Sequence, residues 1–304
     1  MQNKKTQIMK ASLEKVHFRK ILKGFAKTLD VGVSATDRQW AVKGFIDAFR
    51  NIYTISADTK IVSKILEIHL FPKLLEFAAS SGYQIVLADC QNYYPDMTFV
   101  SVKNESIKFA VDLKTTYRLP WNPEFCNGFT LGSHGTYFKK RDESKNIQFP
   151  YNDYSGHFCL CAVYSRTDSD YIDETKVFKI DKLKSVVSVI KDIQFFVGEK
   201  WEIASDMRGS HNTANIGSIF SIQDLLEGNG TFKKLGEQWF DDYWMNYGEI
   251  TITKGGKQQK ITKLRDFLEY KGCDTTSVWP IKPKPTEPKK KKNKVKSERG
   301  ESNE

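Results

Sequence analysis

The octapeptide AVDLKTTY at residues 110–117 does most to restrict the fold. It ends an apolar run containing Ile107, Phe109 and Val111. Side chains along a strand alternate between faces, so Asp112 and Lys114 share one face and Leu113 takes the other. Just upstream, residues 97–102 read as a second strand, joined to residues 106–113 by Lys103, Asn104 and Glu105. A turn centred on Asn104 and Glu105 brings Asp96, which follows Tyr94 and Pro95, close to Asp112 and Leu113. The intervening strand is too apolar for a surface loop. Two carboxylates therefore meet at one end of a buried hairpin, with an ammonium beside them.

Two carboxylates held together repel unless a proton or a cation intervenes. Magnesium takes oxygen ligands and commonly binds through one or two carboxylates plus substrate phosphate. It can polarise a phosphoryl oxygen and activate water, while a neighbouring ammonium stabilises developing charge. The pattern thus predicts metal-dependent phosphodiester hydrolysis by Asp96, Asp112 and Lys114, with Asp96 and Asp112 as ligands. A bare P-D followed by D-x-K also recurs by chance, with a surface salt bridge as its ordinary meaning. The hairpin, which aligns both acids at one end, favours the chemical reading.

The rest of the chain supports a sizeable α/β protein. Hydrophobic residues make up 39% of 304, enough for a real core. No run approaches eighteen uncharged apolar residues, which predicts no membrane span, and the charged N-terminus lacks the apolar centre of a signal peptide. Five cysteines without zinc spacing fit a reducing cytosol. The net charge is +10, and residues 281–304 hold nine Lys or Arg against four Glu. A moderately basic body suits a polyanionic partner. Apolar spacing predicts helices over residues 10–29, 39–50, 59–80, 222–226, 235–247 and 264–270, the third capped by Asp58 and interrupted by Pro72. Strands are expected over 51–55, 83–87, 176–180, 193–197 and 201–204. Residues 118–150 read as irregular with a strand near 128–131, residues 151–164 as helix running into strand, and residues 205–218 as a polar loop. From Cys273 onward Pro and Lys dominate, which predicts a disordered basic tail.

A set of short stretches occurs in one order: Asp58-Thr59-Lys60, Gly82-Tyr83, QNYYPD at 91–96, DLKTTY at 112–117, TANIGS at 213–218 and DYWMNY at 242–247. Together with Asp96, Asp112 and Lys114, they resemble the type II restriction endonucleases of the PD-(D/E)xK superfamily. The resemblance implies a restriction-endonuclease-like mixed central β-sheet flanked by helices. It spans the catalytic and DNA-binding domain at 51–272, flanked by an N-terminal helical extension (1–50) and the basic tail (273–304). It makes Glu67 an auxiliary acid near the site; a solvated helix position is the plain alternative. Gln91, Asn92 and Tyr93 would contact DNA from the minor-groove side, and Thr115 and Thr116 would lie near the phosphate backbone. Gly209, His211, Asn212 and Thr213 would belong to a major-groove recognition loop, otherwise a surface turn. Glycine lets backbone approach base edges, and Asn pairs bidentately with adenine.

Two departures bear on the site read: His211 stands where the family has a second glycine, and Tyr93 replaces a histidine. The resemblance further implies a cytoplasmic symmetric homodimer that cleaves both strands of a short palindrome, GATATC or a close relative. Cleavage would be blunt and Mg2+-dependent, leaving 5′-phosphates. A cognate DNA methyltransferase would belong to the same system without binding the enzyme. Two rival readings are a repair or junction-resolving nuclease of the same fold, and a non-catalytic DNA-binding protein.

Overall fold

The computed structural model describes residues 2–35, 37–90, 92–168, 172–209 and 214–289, with side chains from residue 11 onward. In chain order, the long helix α1 (Gln2–Val33) is followed by a small hairpin, β1 (Phe45–Ile46) and β2 (Asn51–Tyr53). Helix α2 (Thr59–Ser80) leads to β3 (Tyr83–Val86), β4 (Met97–Ser101) and the sixteen-residue β5 (Asn104–Leu119). Then come β6 (Asn122–Cys126), β7 (Thr130–Ser133), the short α3 (Thr136–Lys139), β8 (Tyr154–Arg166), β9 (Val177–Lys179) and β10 (Ile190–Glu199). The one-turn α4 (Lys200–Ile203) runs into β11 (Ala204–Arg208), followed by β12 (Asn215–Ser218), α5 (Ile222–Glu227) and α6 (Glu237–Asn246). A hairpin of β13 (Thr251–Lys254) and β14 (Lys257–Lys260) precedes α7 (Leu264–Tyr270).

The central sheet runs β10–β8–β5–β4–β3, with β6 added on β5. Only β5 and β8 pair in parallel, so the sheet is mixed, as the α/β reading requires. The β4–β5 register opposes Met97 to Val111 and Phe99 to Phe109, which sets Asp96 opposite Asp112. The sheet is covered on both faces. One face, with Phe99, Phe109, Val111, Leu113, Phe158 and Leu160, packs against Phe18 and Leu22 of α1 and Leu66 and Leu70 of α2. The other, with Ala110, Cys159, Cys161 and Val163, packs against Ile216, Phe240, Tyr243 and Trp244. Coverage of both faces is why the strands read as continuous apolar runs rather than alternating ones.

Helix α2 begins where Asp58 accepts hydrogen bonds from the Lys60 and Ile61 amides, and it continues through Pro72. No described helix is long and apolar enough to cross a membrane.

Elsewhere tertiary context overrides local pattern. Residues 39–50 are not helical: Trp40 bridges to Ser34, and β1–β2 pairs with β9. At Gly44 a Cβ would lie 2.3 Å from the Tyr53 carbonyl oxygen, and the Asp47 carboxylate accepts from the Phe49 and Asn51 amides, a turn-forming side-chain bond. Residues 118–150 contain β6, β7 and α3. The segment from Tyr151 has a single 3-10 turn, Tyr151–Asp153, before β8. The expected strand at 201–204 is instead α4, closed by a capping box between Glu199 and Glu202. The polar stretch 205–218 contributes β11 and β12, which pair with β7 in the order β11–β12–β7.

The segment after Cys273 is not free chain throughout. Val278 and Ile281 pack on the second core, and Lys284 Nζ donates to Asn127 Oδ1 at 2.6 Å.

Candidate active site

The two carboxylates clamp each other across β4 and β5. The Asp96 amide donates to Asp112 Oδ1 at 3.0 Å, and the Leu113 amide donates to Asp96 Oδ2 at 2.8 Å. Each acid is thus oriented by the backbone beside the other. Lys114 Nζ lies 2.9 Å from Asp112 Oδ2. The ammonium engages one lone pair of this buried oxygen and leaves its second one free. Asp112 is 2% exposed, whereas Asp96 faces an open cleft and keeps solvent contact. The charges that end the β5 run are therefore the floor of this cleft.

The electrostatics follow from crowding. Protein surrounds Asp96 on every side but the cleft. That desolvation, then the charge of Asp112, pushes its carboxyl up to about 6. Burial pulls the Lys114 ammonium down, but Asp112 and Asp96 outweigh it and raise it overall. Cleavage should therefore fall as pH drops through about 6, because protonation of Asp96 removes the charge a cation needs. A pH–rate profile at subsaturating metal checks this; a flat profile down to about 4.5 would contradict it.

A hard divalent cation fits this donor set: two facing carboxylates, one with a free buried lone pair, and open space above for water and phosphate. Among the described residues no cluster of three or more His, Cys, Asp or Glu gathers at one point. Completion by water and substrate is what a two-carboxylate magnesium site needs.

The cleft is about 710 Å³. Its walls are the first turns of α2, with Thr59, Lys60, Lys64 and Glu67, and the segment Asn127 to Thr130. Glu67 lines the cleft, where it pairs with Lys64 Nζ at 2.8 Å. Asn92, Tyr93, Thr115 and Thr116 also line the cleft, although Thr116 is buried. Gly209 stands outside this lining, on the β11–β12 hairpin, where its amide donates to the Asn215 carbonyl at 2.9 Å. That hairpin reaches the cleft through β7, since Gly217 is opposite Thr130 and Asn215 opposite Ser133. A Cβ on Gly217 would lie 2.7 Å from the Met207 carbonyl, so the close strand approach requires glycine there. Gln91, His211, Asn212 and Thr213 lie outside the described residues.

Sequence reading missed Lys60, Lys64 and the wall at Asn127 to Thr130. It also missed Lys200, a fully buried lysine whose ammonium faces the Tyr94 ring. Its only local signal is a charge directly following the apolar β10 run.

Residues 36–272 match the family described as restriction endonuclease EcoRV. Over 237 residues the chain is 34% identical to the type II restriction enzyme EcoRV of Escherichia coli, an alignment covering 78% of this chain and 94% of that enzyme. A family match over most of the chain, on a mixed sheet that carries paired carboxylates and a lysine at a cleft, leads to one conclusion: this protein belongs to the EcoRV family of type II restriction endonucleases.

Proposed function

We propose that the protein cleaves both strands of duplex DNA at GATATC or a closely related palindrome, bluntly, leaving 5′-phosphate and 3′-hydroxyl ends, with Mg2+ as cofactor. The observation that carries this reading is the reciprocal hydrogen bonding of Asp96 and Asp112 beneath an open cleft, with Lys114 against the second acid. Bound between Asp96 and Asp112, magnesium would supply Lewis-acid polarisation of the scissile phosphate. Lys114 orients the attacking water and stabilises charge that develops on the phosphoryl oxygens. Glu67 adds a third acid on the cleft wall, and Lys60 and Lys64 supply positive charge toward the DNA backbone. Asn92, Tyr93, Thr115 and Thr116 take positioning contacts. Gln91, Gly209, His211, Asn212 and Thr213 complete the readout, with His211 and Tyr93 as the positions where site choice departs from GATATC.

Digesting a plasmid of known sequence with Mg2+ and sequencing the cut ends tests this. Discrete fragments with flush ends inside one palindrome support it. Smears, or cutting only at branched junctions, would instead assign a repair or junction-resolving role.

The protein acts as a symmetric homodimer in the cytoplasm, one site per strand of the palindrome, paired in its system with a methyltransferase it does not bind. The small β1–β2–β9 sheet supports the dimer. It presents Phe45, Ile46, Phe49, Tyr53 and Val177 to solvent, with Phe49 81% exposed. Phe45, Tyr53 and Val177 are register partners and so share one exposed face, and an apolar row of this kind marks an interaction surface. Phe45→Asp should weaken self-association by roughly 30-fold or more, as at a buried interface position. Sedimentation equilibrium reads the change; an unaltered dimer constant would move the interface elsewhere.

A further inference from the structure

The family match ends at residue 272, yet the chain beyond it is tied to the cleft. Val278 and Ile281 pack on the second core, the Trp279 amide donates to the Thr231 carbonyl at 3.1 Å, and Lys282 Nζ lies 3.6 Å from the Asp224 carboxylate of α5. These contacts carry the segment to the wall where Asn127 lines the same cleft as Asp96 and Lys114. There Lys284 Nζ donates to Asn127 Oδ1 at 2.6 Å and to the Asn127 carbonyl at 3.3 Å, and it lies 5.5 Å from the centroid of the Phe220 ring. Both oxygens are neutral, so the ammonium reaches the rim with its charge uncompensated. They use two of its three donors, which leaves one for a phosphate oxygen.

The sequence explains the shape of this segment. Pro280, Pro283, Pro285 and Pro288 recur every two or three residues. Proline lacks an amide donor and favours an extended, stiff chain, and residues 279–289 accordingly form neither helix nor strand. From Lys289 to Arg299 the chain then carries seven Lys or Arg against one Glu. At about 3 Å per residue, chain length puts the first of these cations within roughly 15 Å of Lys284 and the last within roughly 45 Å. Base pairs rise about 3.4 Å each, so that reach covers about four of them at its start and more than ten at its end. A lysine run on a free terminus adds only diffuse attraction. Anchored at the rim, it keeps a high local concentration of positive charge beside a bound duplex.

We propose that residues 273–289 are a strap that extends the cleft wall, with Lys284 as a contact to the DNA backbone at the rim and the basic run it leads to as contacts to phosphates flanking the recognition site. This rests on the reading that the cleft takes duplex DNA. The surface lies outside the residues that the family shares, so it adds binding that follows the length of the duplex and not its base sequence.

Fluorescence anisotropy in Ca2+, with duplexes of about 12 and about 32 base pairs centred on GATATC, reads the effect without cleavage. The full chain should bind the longer duplex roughly tenfold more tightly than the shorter. A chain ending at Pro288 keeps the contacts of Val278, Trp279, Ile281 and Lys284 and should lose most of that gain. Lys284→Gln should flatten the slope of log affinity against log salt by about 1 for each subunit, as for the loss of one phosphate contact, and Lys284→Arg should restore it. A merely structural Lys284 would lower the melting temperature on substitution and leave that slope alone. An undiminished gain in the chain ending at Pro288, or the parent slope in a folded Lys284→Gln variant, overturns the inference. A parent chain that binds neither duplex removes the DNA-cleft reading itself. A parent that binds the short duplex and gains nothing from the longer one removes only the strap.

Discussion

Asp112→Ala should lose at least roughly 10³-fold in cleavage rate while still binding duplex DNA. The loss follows from two contacts made by one carboxylate. It would supply a ligand whose Lewis-acid contribution amounts to several kcal/mol of transition-state stabilisation. It also fixes the Asp96 backbone through a 3.0 Å hydrogen bond and holds Lys114 at 2.9 Å. Binding is spared because the substitution removes a negative charge below a cleft meant for a polyanion; affinity should hold or rise, more so at low salt. Removing one partner from a buried ion pair typically costs about 3–5 kcal/mol of stability, so Asp112→Asn belongs beside Ala. Asparagine keeps an acceptor for the Asp96 amide but not the charge. Gel-shift binding in Ca2+ and single-turnover cleavage in Mg2+ give the two readings. Full cleavage by either folded variant would remove Asp112 from the site.

Deleting residues 1–33 should leave a chain that does not fold, although the family match begins only at residue 36. Helix α1 is part of the core. The Phe18 ring stacks on Phe109 with centroids 4.3 Å apart and meets Phe99, Phe158 and Tyr83 within 5.4 Å. Leu22, Ala26, Leu29 and Val33 continue the same buried stripe. Arg19 pairs with Glu199 and Glu202, and Lys15 with Glu199, which ties the helix to the end of β10 and to α4. Phe18→Ala alone should cost about 3–5 kcal/mol, a large part of the roughly 5–15 kcal/mol that holds a typical domain. The deletion removes five such side chains and exposes the sheet face they cover. Urea unfolding followed by circular dichroism measures the point variant. A folded, cleavage-competent 34–304 fragment would show that α1 is a dispensable extension.

The carboxylate pair was legible in the sequence because its geometry is local. Alternation along residues 97–113 set Asp96 opposite Asp112 to within one residue, although the turn falls at Val102 and Lys103 rather than at Asn104 and Glu105, and a register shift after Val100 makes up the difference. Helices α2 and α7 were legible for the same reason, since the Asp58 cap and the apolar spacing act within one or two turns. The stretch at 39–50 misled because Trp40 enters the core from a non-helical segment while Phe45, Ile46 and Phe49 stay exposed at the small sheet. The run at 201–204 misled because a capping box in Glu199 and Glu202 outweighs β-forming side chains.

Local sequence thus determined the strand pairing that joins Asp96 to Asp112, the lysine beside them, and the order of short motifs that carries the family resemblance. Tertiary structure alone decided that α1 is core, that Glu67 and the Asn127 to Thr130 segment wall one cleft, and that Lys200 is buried against the Tyr94 ring. The reason is range. A hairpin register is set by neighbours along the chain, whereas Glu67 on α2 and the segment after β6 come to one cleft only once both have packed around β5.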